Sequence, residues 1–589
     1  MAPAGLWAVW PLLHVLLGAA RAAYVITVDA SQSQRALTPF WKSAGFWMTN
    51  GKLHYNFTNL DNFMDLLWTN KLVPGFELMG SPSGYFTDFE DKKQVVRWKK
   101  LVALLAKRFI AKYGLEHVAK WNFETWNEPD HHDFDNVSMT VKGFLNYYDA
   151  SSEGLREASS LLKFGGPGDS FHPFPKSPMC WSLLYHCYNG TNFFTGETGV
   201  RLDYISLHKK GAGSSLQILQ EETEVLEQIQ QIFPNFTSIP IYNDEADPMV
   251  GWSVPQTWRA DVTYAAMVVK IIIQHQNLLI SKANNTINYT LLSNDNAFMN
   301  YYPHYFTQRT LTARFQMNNT KPPHVQMVRK PVLTAMGLLA LLGETQIFAD
   351  VYNSKGENGN NNTVGVLATL HTPAELPSSD SWQAAILIYA SDDNRTSLNI
   401  SAVTLNMTQF PKCAELVYVT HYLDNNLTNP YLEWKKLGSP DFPSVKQFQQ
   451  LRDAEDPAVT GPFPFPEDGH LLLKKELPIP SVFLIHVCAR PRSVPNQVTG
   501  VHLIPLTKEQ VAVLWDDDHV DSKCIKTFEV EFSPNGKTYQ RINTKDTIFT
   551  LWVYSPGSIV SGFYRVRAVD YWGKPGLFSI PVKYTEAPE

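Results

Sequence analysis

The sequence predicts an α/β protein built around a (β/α)8-type barrel, of which about seven strands are present, followed by two all-β units. Strand and helix patterns alternate from about residue 38 to 344. The hydrophobic period changes to two from about residue 364 to 490, and alternating strands return from 495 to 586. Alternation of this kind is typical of barrels, and period two is typical of sandwiches. A chain of 589 residues also exceeds what one core can fold, so several domains are expected.

The N-terminus has the pattern of a secretory signal peptide, which we assign to residues 1–22. An apolar run, Leu6–Leu17, precedes Ala20-Arg21-Ala22, a small-x-small cleavage site. The run is too short to span a bilayer. The other long apolar stretch, Val262–Ile280, contains Lys270 and is predicted to be a buried helix. We therefore expect a secreted chain with no membrane span.

Glycosylation sequons support passage through the secretory pathway. Twelve Asn-x-Ser/Thr sites begin between Asn56 and Asn426, and none follows. The predicted glycosylation sites among them are Asn56, Asn136, Asn318 and Asn361. The formal net charge is −6, so a polyanion would have to bind in a local cationic pocket, and nucleic acid is not expected as a partner.

The chain has five cysteines, so at least one cannot pair within it. Cys488 ends one predicted strand and Cys524 lies between two others. A bridge between them could join the two C-terminal units. The pairing of Cys180, Cys187 and Cys413 stays open.

The barrel is predicted over residues 38–344, with a clear helix at Lys92–Tyr113 and another at Asn59–Asn70. The first has apolar residues at helical spacing and ends at Gly114. The candidate strands are Pro39–Phe46, Val73–Met79, Lys120–Trp126, Lys163–Gly166, Tyr204–His208, Pro240–Asp244 and Tyr289–Asn294.

A β-sandwich is predicted from residues 24–31 and 345–490, and a third unit from 495–587. The third unit resembles a fibronectin type III module, with the Asn535-Gly536 hairpin signal between alternating strands. Residues 437–469, rich in proline and acidic groups, are predicted to be irregular. The sandwich strands are predicted at Tyr24–Asp29, Val364–Leu370, Trp382–Tyr389, Leu398–Leu405, Ala414–His421 and Ser481–Val487.

Two carboxylates at predicted strand ends indicate glycoside hydrolysis. Glu128 follows the strand in Trp121–Pro129, and Glu245 ends the run Ile239–Glu245. Retaining glycosidases use two such groups about 5 Å apart, as acid/base and as nucleophile. Asp244 and Asp247 lie beside Glu245, and sequence chemistry alone does not choose among the three. His131-His132-Asp133 could suggest a metal, but adjacent side chains point apart and no metal is predicted.

Longer motifs resemble glycoside hydrolase family 39, a retaining barrel family, over nearly the whole chain. They are Phe86–Glu90, Trp121–Asp135, Gly165–Ser170, Leu202–Gly211, Ile241–Pro248 and Leu292–Ala297.

The resemblance implies a role for each site residue and no cofactor. Glu128 would be the acid/base, with a pKa raised by the second carboxylate, and Glu245 the nucleophile. Asn127 would contact the sugar 2-hydroxyl. A uronate carboxylate would be bound by Lys210, Arg309 and backbone donors near Gly251, with Asp295 as a further polar contact.

The resemblance implies a lysosomal retaining exo-glycosidase that removes terminal α-L-iduronic acid from dermatan sulfate and heparan sulfate. Its glycans would be ligands of the mannose-6-phosphate receptor. Two alternatives stay open: a shortened, catalytically impaired or non-catalytic form of that enzyme, and a family-related β-xylosidase.

One segment departs from the family pattern. Between Phe46 and Asn56 there is no room for a helix plus a strand, because a β/α repeat needs about 30 residues. Family members have a much longer stretch here, with substrate-contacting histidines. We therefore expect a barrel that lacks one β/α unit and a chain of low activity.

Overall fold

The computed structural model describes residues 45–49, 52–131, 137–251, 253–282, 286–297, 299–352, 363–373, 379–393, 397, 399–412, 415–558 and 560–585. These residues fall into two compact units, one within Met1–Pro74, Gly80–Thr87 and Phe134–Val137, the other within Gly75–Met79, Asp88–Asp133 and Ser138–Glu589. Several sequence predictions lie outside the described residues: the signal peptide 1–22, the strand Tyr24–Asp29, His132, Asp133, Asn136, Asn361 and Cys413.

The first unit contains an antiparallel hairpin, β1 (Gly45–Thr49) and β2 (Lys52–Asn56), followed by helix α1 (Thr58–Thr69). A short 3-10 turn lies at Pro82–Gly84. The predicted barrel strand Pro39–Phe46 is wrong in its described end, because Gly45 and Phe46 pair in this hairpin. The loop between Thr49 and Lys52 is too short for a helix, so the local chain closes as a hairpin.

The second unit begins with a parallel sheet of six strands in sequential order. They are β3 (Gly75–Glu77), β4 (Asn122–Glu124), β5 (Lys163–Pro167), β6 (Ile205–Leu207), β7 (Ile241–Asn243) and β8 (Tyr289–Leu292). Within the described residues β3 and β8 are edge strands, whereas a complete barrel closes with eight strands. The sheet is therefore part of a barrel, with one strand fewer than the sequence suggested.

Helices connect these strands. They are α2 (Lys92–Tyr113), α3 (Leu115–Val118), α4 (Val141–Ala158), α5 (Pro178–Asn189), α6 (Ser215–Ile232), α7 (Val262–His275) and α8 (Pro331–Leu339), with shorter turns at Pro234–Phe236, Thr257–Ala260 and Gln276–Ile280. Helix α2 has the predicted bounds because Asp91 caps its first turn and Gly114, at φ 83°, ends it. Among the described helices none is long and apolar enough to cross a membrane.

A hairpin, β9 (Thr312–Met317) and β10 (His324–Arg329), precedes the sandwich. The larger sandwich sheet has the order β11-β12-β13-β18-β15-β16, and β14 pairs with β17. Their bounds are β11 Thr345–Ile347, β12 Val364–His371, β13 Gln383–Ala390, β14 Ile400–Met407, β15 Leu416–Asp424, β16 Ala458–Pro464, β17 Leu471–Pro478 and β18 Ser481–Ala489.

The central strands β13 and β18 are buried at every position. One face of their sheet packs on α7 and α8, and the other packs on residues of β14 and β17. Burial on both faces explains why the two strands are continuously apolar in sequence.

Residues 437–469 are not irregular, so that prediction is wrong. After helix α9 (Pro430–Lys436), they contain helix α10 (Val445–Asp453) and all of β16. Ser444 and Gln447 form a capping box at the start of α10, a local signal that proline-rich composition obscured.

The C-terminal part has two sheets, β19-β20-β23 and β22-β21-β24-β25. Their strands are β19 Thr499–Thr507, β20 Gln510–Asp516, β21 Ile525–Ser533, β22 Gln540–Arg541, β23 Leu551–Tyr554, β24 Gly562–Asp570 and β25 Val582–Tyr584. A shared core includes Trp515, Phe528 and Val566. A disulfide joins Cys488, in β18, to Cys524, just before β21.

Candidate active site

Polar side chains gather at the carboxyl ends of the parallel strands. Glu124 ends β4, and the segments after β6, β7 and β8 carry His208 and Lys210, Glu245, and Asp295. Parallel strands place these ends at one edge of the sheet, where barrel active sites lie. The predicted site residues are therefore brought together by the sheet.

Glu128 has an unusual backbone conformation that the surrounding loop stabilises. Its φ is 46°, in the left-handed region, which is unfavourable for a residue with a Cβ. Its N–H donates to the carbonyl of Gly168 at 2.8 Å, and its own carbonyl accepts from the N–H of His131 at 3.0 Å. Buried Asp169 accepts from the N–H of Asp130 at 2.6 Å and contacts Nδ1 of His131 at 2.5 Å. His131 is thus a hydrogen-bond partner within this loop.

The two predicted catalytic carboxylates face each other. One carboxylate oxygen of Glu128 and one of Glu245 lie within 4.8 Å of each other and of a ring nitrogen of His208. Nδ1 of His208 is 3.1 Å from Oε1 of Glu128 and 3.6 Å from Oε2 of Glu245. A separation of about 5 Å is the geometry of retaining glycosidases, because inverting enzymes hold a water between more distant carboxylates.

Lys210 lies between the same two carboxylates. Its Nζ donates to Oε1 of Glu128 at 2.6 Å and also bonds Oε2 of Glu245. The three side chains are only 14–16% exposed, so these charges are weakly screened. The structure places Lys210, for which uronate binding is a prediction, against Glu128 and Glu245.

The expectation that the pKa of Glu128 is raised is wrong for this arrangement. Burial raises the pKa of Glu128, but hydrogen bonds from His208 and Lys210 outweigh it and hold the pKa below its usual range. Burial lowers the pKa of His208, but the hydrogen bond to Glu128 and the charges of Asp244 and Glu245 raise it to about 9. Glu128 is therefore an anion between two cations.

Beneath this pair lies a second carboxylate layer. Glu124 is 7% exposed, accepts from Ser206 Oγ at 2.9 Å, and has a pKa raised by burial to about 7. Asp244 lies 3.5 Å from Nε2 of His208, and burial raises its pKa as well. His208 thus connects two layers of acids through its two ring nitrogens.

The geometry distinguishes the three acids after β7. Asp247 is fully buried, and it accepts from Arg259 Nη2 at 3.2 Å and from the Tyr264 hydroxyl at 2.7 Å. Asp244 faces His208 from the lower layer. Glu245 is the acid that approaches Glu128, which favours it as the nucleophile.

Arg309 is a further cation at this edge of the sheet. It is 1% exposed and bonds Oδ2 of Asp295 through Nη2, and its Nε is 3.9 Å from Oδ2 of Asp247. Within the described chain, Nε and Nη1 of Arg309 have no hydrogen-bond partner. Burial and the charge of Glu245 raise the pKa of Asp295 to about 6, against the opposing charge of Arg309. Donors left in a buried guanidinium suit an anionic ligand.

Two further predicted contacts have less definite positions. The side-chain oxygen of Asn127 is buried and has no hydrogen-bond partner among the described residues. The carbonyl of Gly251 accepts from Arg259 Nη1 at 2.8 Å, and Trp252 lies outside the described residues. Their roles remain predictions.

Sequence reasoning missed His208 and Glu124. Each stands near a predicted residue, His208 two positions before Lys210 and Glu124 four before Glu128. His208 directly follows β6 and ends a predicted strand, so its position at the carboxyl end of that strand could have identified it. Glu124 had no sequence signal that separated it from an ordinary strand residue.

The fold and the paired carboxylates define a glycoside hydrolase. The family model of Glycosyl hydrolases family 39 matches residues 42–472, and that of the Alpha-L-iduronidase C-terminal domain matches 499–586. The chain therefore belongs to glycosyl hydrolases family 39.

Similar proteins cover most of the chain. α-L-Iduronidase of Mus musculus is 55% identical over 622 residues, covering 97% of this chain and 98% of that protein. α-L-Iduronidase of Homo sapiens is 61% identical over 542 residues, covering 92% and 83%. The solved structure of a bacterial orthologue of the human enzyme is 28% identical, with a TM-score of 0.79, and covers 93% of this chain and 90% of that one.

Proposed function

We propose that the chain carries the site of a retaining exo-glycosidase that removes terminal α-L-iduronic acid from dermatan sulfate and heparan sulfate. The observation that carries the proposal is the approach of Glu128 and Glu245 to within 4.8 Å. Buried Arg309, with unused donors, supports a uronate ligand. The names of the mouse and human relatives point to the same substrate sugar.

The chemistry follows from the geometry. Glu128 in its acid form gives its proton to the glycosidic oxygen, while Glu245 attacks the anomeric carbon and the bond to the leaving group breaks. Glu128, now a carboxylate, takes a proton from water, and that water displaces Glu245 with a second inversion. Asn127 is assigned to the sugar 2-hydroxyl, and Asp295 to another sugar hydroxyl.

A uronate and a neutral xylose differ in the C5 carboxylate, which this site can distinguish. A β-D-xyloside has the ring configuration of an α-L-iduronide but lacks the carboxylate on C5. A buried Arg309 without an anionic ligand would retain unpaired donors, which is unfavourable. Arg309 therefore favours iduronide over the xyloside alternative.

The short stretch between Phe46 and Asn56, which has no room for a β/α unit, argues that turnover by this chain is impaired. Glu77, at the end of edge strand β3, is exposed, whereas Glu124 on the neighbouring strand is buried. Strand tilt and stagger depend on strand number, and a shift of about 1 Å at the carboxylates can cost about 10²-fold in rate. We assign the chain to the same enzyme class in a catalytically weakened form.

Glycosidase assays of the chain, before and after a family-length segment is inserted, test this proposal. The chain is expressed in cultured mammalian cells and assayed on a fluorogenic α-L-iduronide and the matching β-D-xyloside. We expect weak iduronide cleavage, and a rise of at least about 10²-fold when a family-length segment replaces the residues between Trp47 and Asn56. The first-formed sugar should have retained configuration by NMR. Full activity without the insertion would refute the impairment, and xyloside preference after repair would refute the substrate.

Lysosomal delivery is a separate part of the proposal. Sequons at Asn56, Asn136, Asn318 and Asn361 would carry glycans read by the mannose-6-phosphate receptor. Glycopeptide mapping of secreted protein and binding to immobilised receptor test this. Retention of an intact residue 1–22 segment, or glycans that the receptor does not bind, would contradict it.

A further inference from the structure

The position of the Lys210 ammonium group is the starting point. Nζ contacts a carboxylate oxygen of both Glu128 and Glu245, two oxygens that lie within 4.8 Å of each other. It therefore lies in the gap between them.

The same gap is where the reaction must take place. In a retaining mechanism the anomeric carbon contacts the nucleophile while the glycosidic oxygen contacts the acid, so the reacting bond lies between the two carboxylates. Reacting atoms must approach to about 3–3.5 Å. An ammonium that contacts both carboxylates and a sugar ring cannot share this space. Substrate binding must therefore displace Nζ of Lys210.

Displacement changes the charge balance around Glu128. Lys210 and His208, after β6, contact Glu128 directly. The other ionisable groups at this edge of the sheet act on Glu245, Asp244, His208 or one another; they are Glu124, Glu77, Asp295 and Arg309. Lys210 and His208 both contact the two carboxylates, and Lys210 does so more closely. Without it, His208 has one Nδ1–H to share between two acids, and like charges about 5 Å apart disfavour two anions.

Resting on the proposed function, we infer that Lys210 is a gate that couples recognition of the substrate carboxylate to protonation of Glu128. The C5 carboxylate of an iduronide accepts the displaced ammonium, which stays protonated. Glu128 then takes one proton from solvent and becomes the carboxylic acid that the first step requires. A neutral sugar offers no anion to hold Lys210 away, so the ammonium competes for the gap and Glu128 stays ionised. Specificity for uronates would thus arise from the protonation of Glu128 as well as from the contacts that bind the C5 carboxylate.

Proton uptake on binding tests the inference without catalysis. The full chain is titrated with two thioglycosides that resist hydrolysis, methyl 1-thio-α-L-iduronide and methyl 1-thio-β-D-xyloside. Isothermal titration calorimetry at about pH 5, in buffers of different ionisation enthalpy, counts the protons taken up. We expect about one proton per bound iduronide and close to none for the xyloside. Because wild-type protein gives this contrast, no variant has to fold for the test to work.

Two variants test whether Lys210 is the residue that couples iduronide binding to proton uptake. K210M should bind iduronide with no proton uptake, since the two carboxylates would then share only the Nδ1–H of His208 and Glu128 would be protonated before the ligand binds. K107M, which removes an exposed lysine paired with Glu157 on a distant helix, should match the wild type. Thermal melts report whether each variant is folded.

The outcomes separate the two claims. Iduronide binding without proton uptake in the wild type would overturn the gate and leave the proposed function standing. Equal uptake in K210M would overturn it too, by assigning the proton to Asp295 or another acid. Absence of iduronide binding by the chain would overturn the proposed function, and the gate with it.

Discussion

Nη2 of Arg309 bonds Oδ2 of Asp295, while Nε and Nη1 of the same buried guanidinium have no hydrogen-bond partner in the described chain. Asp295 has a φ of 49°, so its backbone is held in the left-handed region where it meets Arg309. Nη2 of the guanidinium is thus held by Asp295, and the N–H groups of Nε and Nη1 remain for a ligand. This arrangement would orient a planar carboxylate.

Replacing Arg309 should discriminate between substrates. In the segment-restored protein, Arg309→Met should raise the barrier for iduronide cleavage by about 2–5 kcal/mol, because a buried carboxylate loses its charged partner. Cleavage of the β-D-xyloside should change far less. The ratio of kcat/KM values on the two fluorogenic substrates measures this. Arg309→Lys is the matched control, retaining charge but losing the fork, and should lie between. An equal loss on both substrates would remove the case for uronate recognition.

Removing either catalytic carboxylate should nearly abolish turnover. Glu128→Gln and Glu245→Gln in the restored protein should each lose about 10²–10⁴-fold or more in kcat, since a positioned acid or nucleophile is lost. Asp247→Asn is a useful comparison, because Asp247 bonds Arg259 and Tyr264. It should reduce stability more than it alters the reaction of folded protein. Near-normal rates in either Glu variant would contradict the assignment.

Azide should assign the two roles. With an activated leaving group, azide should rescue Glu245→Ala and give a glycosyl azide of inverted configuration, because attack occurs directly on the open face. A product of retained configuration from that variant would mean that Glu245 is not the nucleophile. NMR of the azide product reads the configuration.

The Cys488–Cys524 disulfide should stabilise the C-terminal part of the chain. The two residues are 36 apart, a loop that corresponds to about 3–4 kcal/mol by chain entropy. Cys488→Ser with Cys524→Ser should lower the free energy of unfolding by about this amount in urea titrations. Cys187→Ala, which alters a buried cysteine outside this bridge, is the control. Peptide mapping under non-reducing conditions that finds both thiols unpaired would contradict the structure.

Buried His421 should make the free energy of unfolding decrease as the pH is lowered. Burial lowers its pKa to about 4, and neither ring nitrogen has a partner among the described residues. The folded pKa lies below the unfolded value of about 6.5, so the unfolded chain binds the proton more readily. Stability should therefore be lost as the pH falls from about 6.5 to about 4, by about 2 kcal/mol between pH 7 and 5.

Replacement of His421 tests whether this residue causes the predicted loss of stability at low pH. His421→Leu should flatten that part of the pH profile of unfolding free energy, while exposed His519→Gln should not. Urea titrations at several pH values give the profile. An unchanged slope in His421→Leu would show that another group carries the pH dependence.

Local patterns were enough for much of the fold. Helix α2 could be placed from its apolar spacing and Gly114, and the predicted sandwich strands after residue 345 lie within a few residues of β12, β13, β14, β15 and β18. The strands β11, β16 and β17 were not predicted. The strand count failed at Gly45–Phe46, where an apolar extended segment pairs in a hairpin and not in the parallel sheet. Extended segments look alike in sequence, and the partner decides which sheet they join.

The sequence by itself determined that Glu128 and a group of acids around Glu245 lie at strand ends, while the choice of Glu245 and the roles of Lys210 and Arg309 came from the resemblance to the family. Only the tertiary structure decided their states. Lys210 and His208, which both follow β6, contact both carboxylates, so Glu128 has a lowered pKa where a raised one was expected. Protonation depends on the distances and burial of charges from three different strands, and those distances exist only once the sheet has formed.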